Sequence, residues 1–125
     1  LDPAWVAVVA ALREQHAELP VIVGGRSSGA RVACRTAVEV GAAGVICLAF
    51  PLHPPGRPER SRAEELLTGV PTLVLNGDRD PFGTPEPSPG VRVEVLPGAD
   101  HSLRKVAKAA GEHAADWLAG HHWAR

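Results

Sequence analysis

Apolar residues recur along this chain with two different spacings, and each spacing predicts a different kind of element. Near the start, apolar residues at positions 5, 8, 9 and 12 have the period of an amphipathic helix. Asp2 followed by Pro3 is typical of a helix start, and Pro20 cannot continue a helix. We therefore predict a helix from Asp2 to about Ala17.

Further along, short unbroken apolar runs are typical of strands that are buried on both faces of a sheet. The run at 91–96 instead alternates apolar with charged residues, which favours a strand nearer the sheet edge. Segments with helical periodicity separate these runs. The predicted strands are Val21–Val23, Gly44–Phe50, Val70–Gly77 and Val91–Leu96, and the remaining predicted helices are Ser28–Val40, a short Ala63–Leu67 and Ser102–Ala119.

The order of these elements predicts an α/β fold. Strands that alternate with helices form a parallel sheet through right-handed crossovers, with helices on both faces. We therefore expect a single domain over residues 1–125, with three α/β/α layers and a mostly parallel sheet. In such sheets the loops at the carboxyl ends of the strands form the ligand-binding edge. Ser27, His53, Asp80 and His101 all fall on loops of this kind.

Composition and charge exclude several classes of function. The 125 residues are 45% hydrophobic with a formal net charge of −1, and no basic stripe with interleaved aromatic residues suggests nucleic-acid binding. No apolar run reaches the ~18 residues that a membrane span needs. Cys34 and Cys47 lie in apolar runs, which favours two buried free thiols in a reducing cytoplasm over a disulfide. Their spacing does not suggest a metal site, and no cofactor motif is evident.

The most informative motif is Gly25-Arg26-Ser27-Ser28-Gly29, a G-x-S-x-G sequence between a β-branched run and a predicted helix. A sharp strand-to-helix turn of this type exposes a nucleophilic serine at the mouth of a helix, and nearby glycines allow the backbone to approach closely. A phosphate-binding loop is the alternative, but Arg26 stands where G-x-G-x-x-G requires glycine. Nor does the P-loop pattern fit, because Ala30 and Arg31 follow where it requires lysine and serine or threonine.

A serine nucleophile needs a base and an orienting acid, which follow in the order serine, acid, histidine in this type of site. Asp80 follows the third predicted strand and His101 follows the fourth. We predict that His101 takes the Ser27 proton and that Asp80 holds the imidazole, with Asp78 as the alternative acid. Asp100 is adjacent to His101 and is a poor candidate. A turn aspartate can also cap backbone, and a histidine at a helix start can simply be solvated.

Other residues near this edge are candidates for binding substrate. The backbone N–H of Ser28, the residue after the nucleophile, is the expected donor to an oxyanion, and a second donor would come from a loop upstream of these residues. Arg26 and Arg79 could bind an anionic substrate group, but the sequence favours surface ion pairing for both. His53 lies in a proline-rich loop and is a candidate for the edge of the site.

At this level of detail the chain resembles the C-terminal half of the α/β-hydrolase fold. Two stretches, 24–33 and 50–59, are similar to small dienelactone-hydrolase-like bacterial proteins and to the hydrolase-like region of a regulatory subunit of the NSL histone acetyltransferase complex. The resemblance implies the roles given above for the serine, acid and histidine, and it implies that Phe50 to Glu59 shapes the pocket rim. Ser28 and Ala30 depart from the Met and Gly common in this branch, which would alter the pocket floor.

Two functional hypotheses follow. The first is a serine hydrolase, esterase-like, that cleaves a small ester or acyl substrate without a cofactor. The second is a non-catalytic hydrolase-like module that binds a partner. The chain has no methionine, and about two dozen residues precede the serine turn, so we expect the N-terminal strands of the fold to be missing. The first strand would then pair with that missing segment or with a second copy of the chain.

Overall fold

A computed structural model describes residues 2–123 and has a four-stranded sheet with helices on both faces. All neighbouring strands are parallel, in the order β1-β2-β3-β4. The predicted α/β fold is therefore confirmed. The helices are α1 (Asp2–Gln15), α2 (Ser28–Thr36) and α3 (Ala107–Gly120); the strands are β1 (Ile22–Arg26), β2 (Gly44–Leu48), β3 (Thr72–Gly77) and β4 (Val91–Leu96); and the two 3-10 helices are Ala63–Leu66 and Arg104–Val106.

The core consists of two apolar layers separated by the sheet. On one side, Val23, Val45 and Val74 of the sheet pack against α1 and α2. On the other side, Leu73 and Leu75 pack against α3. Alternate residues of one strand thus face opposite layers, which is why β3 is buried along its whole length and has no solvent-exposed face.

The first strand is longer than the sequence analysis predicts. The prediction ended it at Val23 and placed a turn at the two glycines, but β1 continues through Gly24 and Gly25 to Arg26. These residues keep the parallel register with β2, in which Gly25 lies opposite Cys47. Pairing with β2 therefore overrides the low strand propensity of glycine.

Several helix and strand ends also differ from their predicted positions. Helix α3 begins five residues later than Ser102, because Leu103 has a left-handed φ of 58° that no α-helix contains. Strand β2 ends at Leu48, before Ala49 with a φ of 56°. Helix α2 ends at Thr36, and Gly41 takes the positive φ expected of a residue that terminates a helical turn. Regular structure is absent from described residues 49–62, as the prolines predict.

The buried face of α1 is narrower than its apolar pattern predicts. Val9 is buried, and Trp5 and Val6 pack partly against the core. Val8 and Leu12 belong to the predicted stripe but are 57% and 49% exposed. No described element covers that side of the helix. None of the helices in residues 2–123 is long and apolar enough to cross a bilayer.

The two cysteines are buried and free, as predicted. Cys34 of α2 and Cys47 of β2 lie with their Sγ atoms 3.4 Å apart. Their hydrogen bond, together with burial, raises the pKa of the Cys47 thiol well above its ordinary value. The pair thus behaves as two small apolar side chains that join α2 to the sheet behind Ser27.

An ion pair joins α2 to the first 3-10 helix on the outer surface. Arg31 donates two hydrogen bonds to the Glu65 carboxylate, from Nε at 2.8 Å and from Nη2 at 2.9 Å. These bonds lower the pKa of Glu65 below its ordinary value. A carboxyl group whose pKa is lower in the folded state stabilises that state above its unfolded pKa, and the stabilisation is lost as pH falls through the folded pKa.

We expect Glu65→Gln to lower the free energy of unfolding by about 1 kcal/mol at neutral pH, because a bidentate, partly buried pair is lost. The difference from the unsubstituted protein should shrink between neutral pH and an acidic pH below the folded pKa of Glu65, where the carboxyl group is protonated in both the folded and the unfolded state. Urea denaturation at the two pH values measures it. Glu64→Gln, at the exposed neighbouring position, is the control. A deficit that is equally large in acid would contradict the assignment.

Candidate active site

The backbone turns sharply at Ser27, between the end of β1 and the start of α2. Ser27 has φ 54° and ψ −119°, a conformation that costs a non-glycine residue ~1–3 kcal/mol. Its N–H still donates to the Leu48 carbonyl at 3.0 Å, so the sheet pairing reaches the serine. Its carbonyl accepts the N–H of Ala30 at 3.0 Å and so starts the helix. The turn therefore presents the Ser27 side chain at the carboxyl end of the sheet.

Close backbone approach makes this turn possible. A Cβ built on Gly25 would lie 2.4 Å from the carbonyl carbon of Gly29 and 2.7 Å from the N of Ala30. Both are backbone atoms, which cannot move aside as a flexible side chain can. Gly29 is different, because a Cβ built there meets nothing within 4 Å. Only the first glycine of the motif is thus required sterically by the described residues.

Ser27, His101 and Asp80 form one chain of hydrogen bonds. The Ser27 Oγ lies 2.8 Å from His101 Nε2, and His101 Nδ1 lies 2.7 Å from Asp80 Oδ2. Because a carboxylate only accepts, Nδ1 carries the proton and Nε2 accepts from the serine hydroxyl. This is the geometry in which an imidazole can remove a proton from a serine.

The structure distinguishes the three aspartates near the histidine. The Asp80 side chain has no exposed surface, and its Oδ1 accepts the Phe82 N–H at 2.8 Å. Asp78 is exposed and accepts the Gly98 N–H instead. Asp100 accepts from the hydroxyl and the N–H of Ser102, and these bonds lower its pKa. Asp80 is therefore the carboxylate that contacts His101.

Backbone contacts at the end of β3 bring the acid loop and the histidine loop together. A Cβ on Gly77 would lie 2.3 Å from the carbonyl oxygen of Ala99, so only glycine permits this approach. Arg79 N–H donates to the same oxygen at 2.9 Å, and Asp78 N–H donates to Leu96 at 3.1 Å. These bonds fix the loop before His101 against the turn that contains Asp80.

The other predicted site residues differ in how close they lie to this chain of bonds. Ser28 is the first residue of α2, so its N–H has no carbonyl one turn earlier in the helix to bond. His53 is half-buried beside the turn that contains Asp80. Its backbone N–H donates to the Phe82 carbonyl, and its ring Nδ1 lies 2.8 Å from the Pro54 carbonyl. Arg79 is exposed.

Phe50 is the predicted site residue that the structure places elsewhere. Its side chain is fully buried in the layer beneath α2, together with core residues such as Val74. A ring with no exposed surface cannot contact a substrate in this conformation. Its prediction as a substrate contact at the rim is therefore wrong, and the physical reason is that the chain turns inward at Phe50 before the proline-rich loop begins.

Arg26 is one of the residues that line an apolar cavity of about 410 Å³ on the α3 side of the sheet. Leu48 of β2 and Ala110 of α3 form opposite walls, and Ser102 and Arg104 lie near the histidine loop. The cavity is thus lined by residues that immediately follow His101 and immediately precede Ser27.

Two residues around Asp80 were not singled out by the sequence analysis. Asn76 is fully buried at the end of β3, and its Nδ2 donates to the Gly83 carbonyl at 3.0 Å and lies 3.5 Å from Asp80 Oδ2. The Phe82 ring lies over the His101 imidazole, with centroids 4.3 Å apart. An amide inside an apolar strand was a usable signal for Asn76; nothing in the spacing indicated Phe82.

Comparison with known proteins identifies the family. A family model described as an alpha/beta hydrolase domain matches residues 1–122. The chain belongs to this alpha/beta hydrolase family. No curated protein matches the chain.

The structure describes no group of three or more histidine, cysteine, aspartate or glutamate side chains that could hold a metal ion within residues 2–123.

Solved structures share the fold at low sequence identity. An alpha-beta serine hydrolase homologue from Coxiella burnetii is 21% identical with a TM-score of 0.63, and the match covers 85% of this chain and 53% of that one. A protein of the alpha/beta hydrolase superfamily from Xanthomonas campestris pv. campestris is 18% identical with a TM-score of 0.68, covering 95% and 67%. A lidless a/b serine hydrolase from Xanthomonas campestris is 21% identical with a TM-score of 0.58, covering 86% and 54%. The chain thus spans about half to two thirds of the length of these proteins.

We expect Gly25→Ala to lower the free energy of unfolding by about 3 kcal/mol, because its methyl group would overlap the backbone at Gly29. Gly29→Ala, four residues later in the same motif, should leave stability unchanged or raise it by up to ~1 kcal/mol, because the added methyl group enters open space. Denaturant unfolding of both variants measures the difference. Equal losses at the two positions would contradict the close approach described for this turn.

Proposed function

We propose that this alpha/beta hydrolase is a serine hydrolase, esterase-like, that cleaves a small ester or acyl substrate in the cytoplasm. The observation that carries the proposal is the chain of hydrogen bonds from Ser27 through His101 to Asp80, at 2.8 and 2.7 Å. No cofactor is required by this chemistry. We also propose that the chain lies in the dienelactone-hydrolase-like branch that residues 24–33 and 50–59 resemble, which favours the same reaction class.

In the proposed reaction, His101 Nε2 takes the proton of the Ser27 hydroxyl as its Oγ attacks the substrate carbonyl. The histidine then gives this proton to the leaving alcohol, and an acyl-serine remains. Water then attacks the acyl carbonyl, His101 Nε2 takes the proton of the water and gives it to the departing Ser27 Oγ, and the carboxylic acid is released. Asp80 stabilises the imidazolium in both halves because its buried carboxylate accepts a hydrogen bond from the His101 Nδ1–H and remains ionised.

The negative charge on the carbonyl oxygen needs donors that are already in place. The Ser28 N–H is the donor proposed from this chain, since it lies in the first turn of α2, where the helix dipole also favours negative charge. A second donor is proposed to come from outside the described residues. Arg26 and His53 are proposed to contact substrate.

We expect Ser27→Ala to abolish labelling by a fluorophosphonate probe and to lower p-nitrophenyl acetate hydrolysis by at least about 1,000-fold, because the nucleophile is removed. Ser61→Ala, at an exposed loop position, should retain both the probe labelling and the hydrolysis of p-nitrophenyl acetate. Intact-protein mass spectrometry after probe treatment gives a readout that is independent of turnover. Equal labelling of the Ser27→Ala variant and the unsubstituted protein would rule out this mechanism.

The exposed edge of β1 favours a second function, a hydrolase-like module that binds a partner. Val21 and Ser27 bond toward β2, so Ile22, Gly24 and Arg26 direct their backbone groups to the opposite edge, where no described residue pairs with them. A strand edge with free N–H and C=O groups is a template for another strand. We propose that a further segment or a second copy of the chain pairs there.

We expect the 125-residue chain, studied alone, to self-associate in a concentration-dependent manner, because the free N–H and C=O groups at the edge of β1 can pair with a strand of a second copy. Sedimentation equilibrium over a range of concentrations measures the association, and amide hydrogen exchange of β1 in the dilute and concentrated samples locates it. A monomer at all concentrations with rapidly exchanging Ile22, Gly24 and Arg26 amides would contradict strand pairing.

A further inference from the structure

Phe82 contacts both Asp80 and His101, although its own side chain has no ionisable group. Its backbone N–H donates to Asp80 Oδ1 at 2.8 Å, and its carbonyl accepts the His53 N–H at 3.0 Å. The backbone of Phe82 is thereby held on one side by the carboxylate and on the other by the proline-rich loop. Because Oδ1 is occupied by this bond, the other carboxylate oxygen is the one directed to His101.

The side chain of the same residue contacts the imidazole. The Phe82 and His101 rings have centroids 4.3 Å apart and planes inclined by 31°, so the phenyl ring covers one face of the imidazole. Face contact leaves the ring edge free, where Nδ1 and Nε2 make their bonds to Asp80 and Ser27. Rotation of the imidazole out of this plane would strike the phenyl ring.

We propose that Phe82 is a positioning residue, whose backbone fixes the acid and whose ring fixes the base. The proposal rests on the proposed function, in which His101 becomes positively charged when it takes the serine proton. An aromatic face attracts a cation placed over it, so the phenyl ring favours the imidazolium as well as orienting it.

Two carboxylates lie near His101. The Asp80 carboxylate is bonded to Nδ1, and the Asp100 carboxylate, next in the chain, is bonded to Ser102 instead.

We expect Phe82→Leu to lower kcat/KM by roughly tenfold, because leucine keeps the backbone bonds and the apolar volume but loses the flat ring. The acid limb of the pH profile should move to lower pH by about half a unit, because the neutral imidazole protonates less readily when its cationic form has no aromatic neighbour. Phe82→Tyr retains the ring and should restore the parent rate and profile. A residue that only supports the fold would change the active fraction but not the position of the acid limb.

A second measurement does not depend on turnover. The Nδ1 proton shared between His101 and Asp80 should give a downfield ¹H NMR resonance in the unsubstituted protein, in Phe82→Tyr, and in weakened form in Phe82→Leu. If the unsubstituted protein has this resonance but no hydrolase activity, the proposed function is wrong. The positioning of His101 by Phe82 is then decided by the resonance in the Phe82→Leu and Phe82→Tyr spectra alone.

The proposal is overturned if Phe82→Leu matches the unsubstituted protein in both pH profile and downfield resonance. Should Phe82→Leu fail to fold, the unsubstituted protein decides: nuclear Overhauser contacts between the Phe82 and His101 rings support the proposal, and their absence overturns it.

Discussion

The site depends on the close approach of two backbone segments, the end of β1 and the first turn of α2. Ser27 can adopt its left-handed conformation only because Gly25 has no side chain to collide with Gly29. The bond from the Ser27 N–H to Leu48 keeps the turn attached to the sheet, and the bond from Ala30 to the Ser27 carbonyl attaches it to the helix. The strain is thereby held by regular structure on both sides, which fixes the hydroxyl in space.

Most of the fold could be predicted because the signals were local. Unbroken β-branched runs indicated the buried strands, and the alternation of charged with apolar residues correctly placed Val91–Leu96 at a sheet edge. The same local signals failed at the ends of elements. Gly24 and Gly25 have low strand propensity, yet they lie in β1 because β2 supplies a partner for each. Leu103 has a good helical sequence environment but a left-handed backbone, which delays α3.

The site was only partly predictable, because its contacts join residues far apart in sequence. The loop positions of Ser27, Asp80 and His101 followed from the strand order, since parallel strands bring their carboxyl ends to one edge. No comparable rule predicts the contacts that support these three residues. Whether Phe82 touched His101 or solvent depended on how two loops meet, and the burial of Phe50 depended on where the chain leaves β2. Side-chain packing between loops has no sequence period to detect it by.

A second glycine has the same role for the histidine that Gly25 has for the serine. Gly77 ends β3 against the carbonyl of Ala99, at a distance that no side chain would permit. The bonds from Asp78 and Arg79 to the residues around Ala99 then fix the spacing of the two loops. Since Asp80 and His101 follow these two fixed points by three residues and two residues, respectively, their 2.7 Å bond is set mainly by backbone geometry. Backbone contacts that contain neither Asp80 nor His101 thus set the spacing of their two loops, and the Phe82 contacts then act on the two side chains themselves.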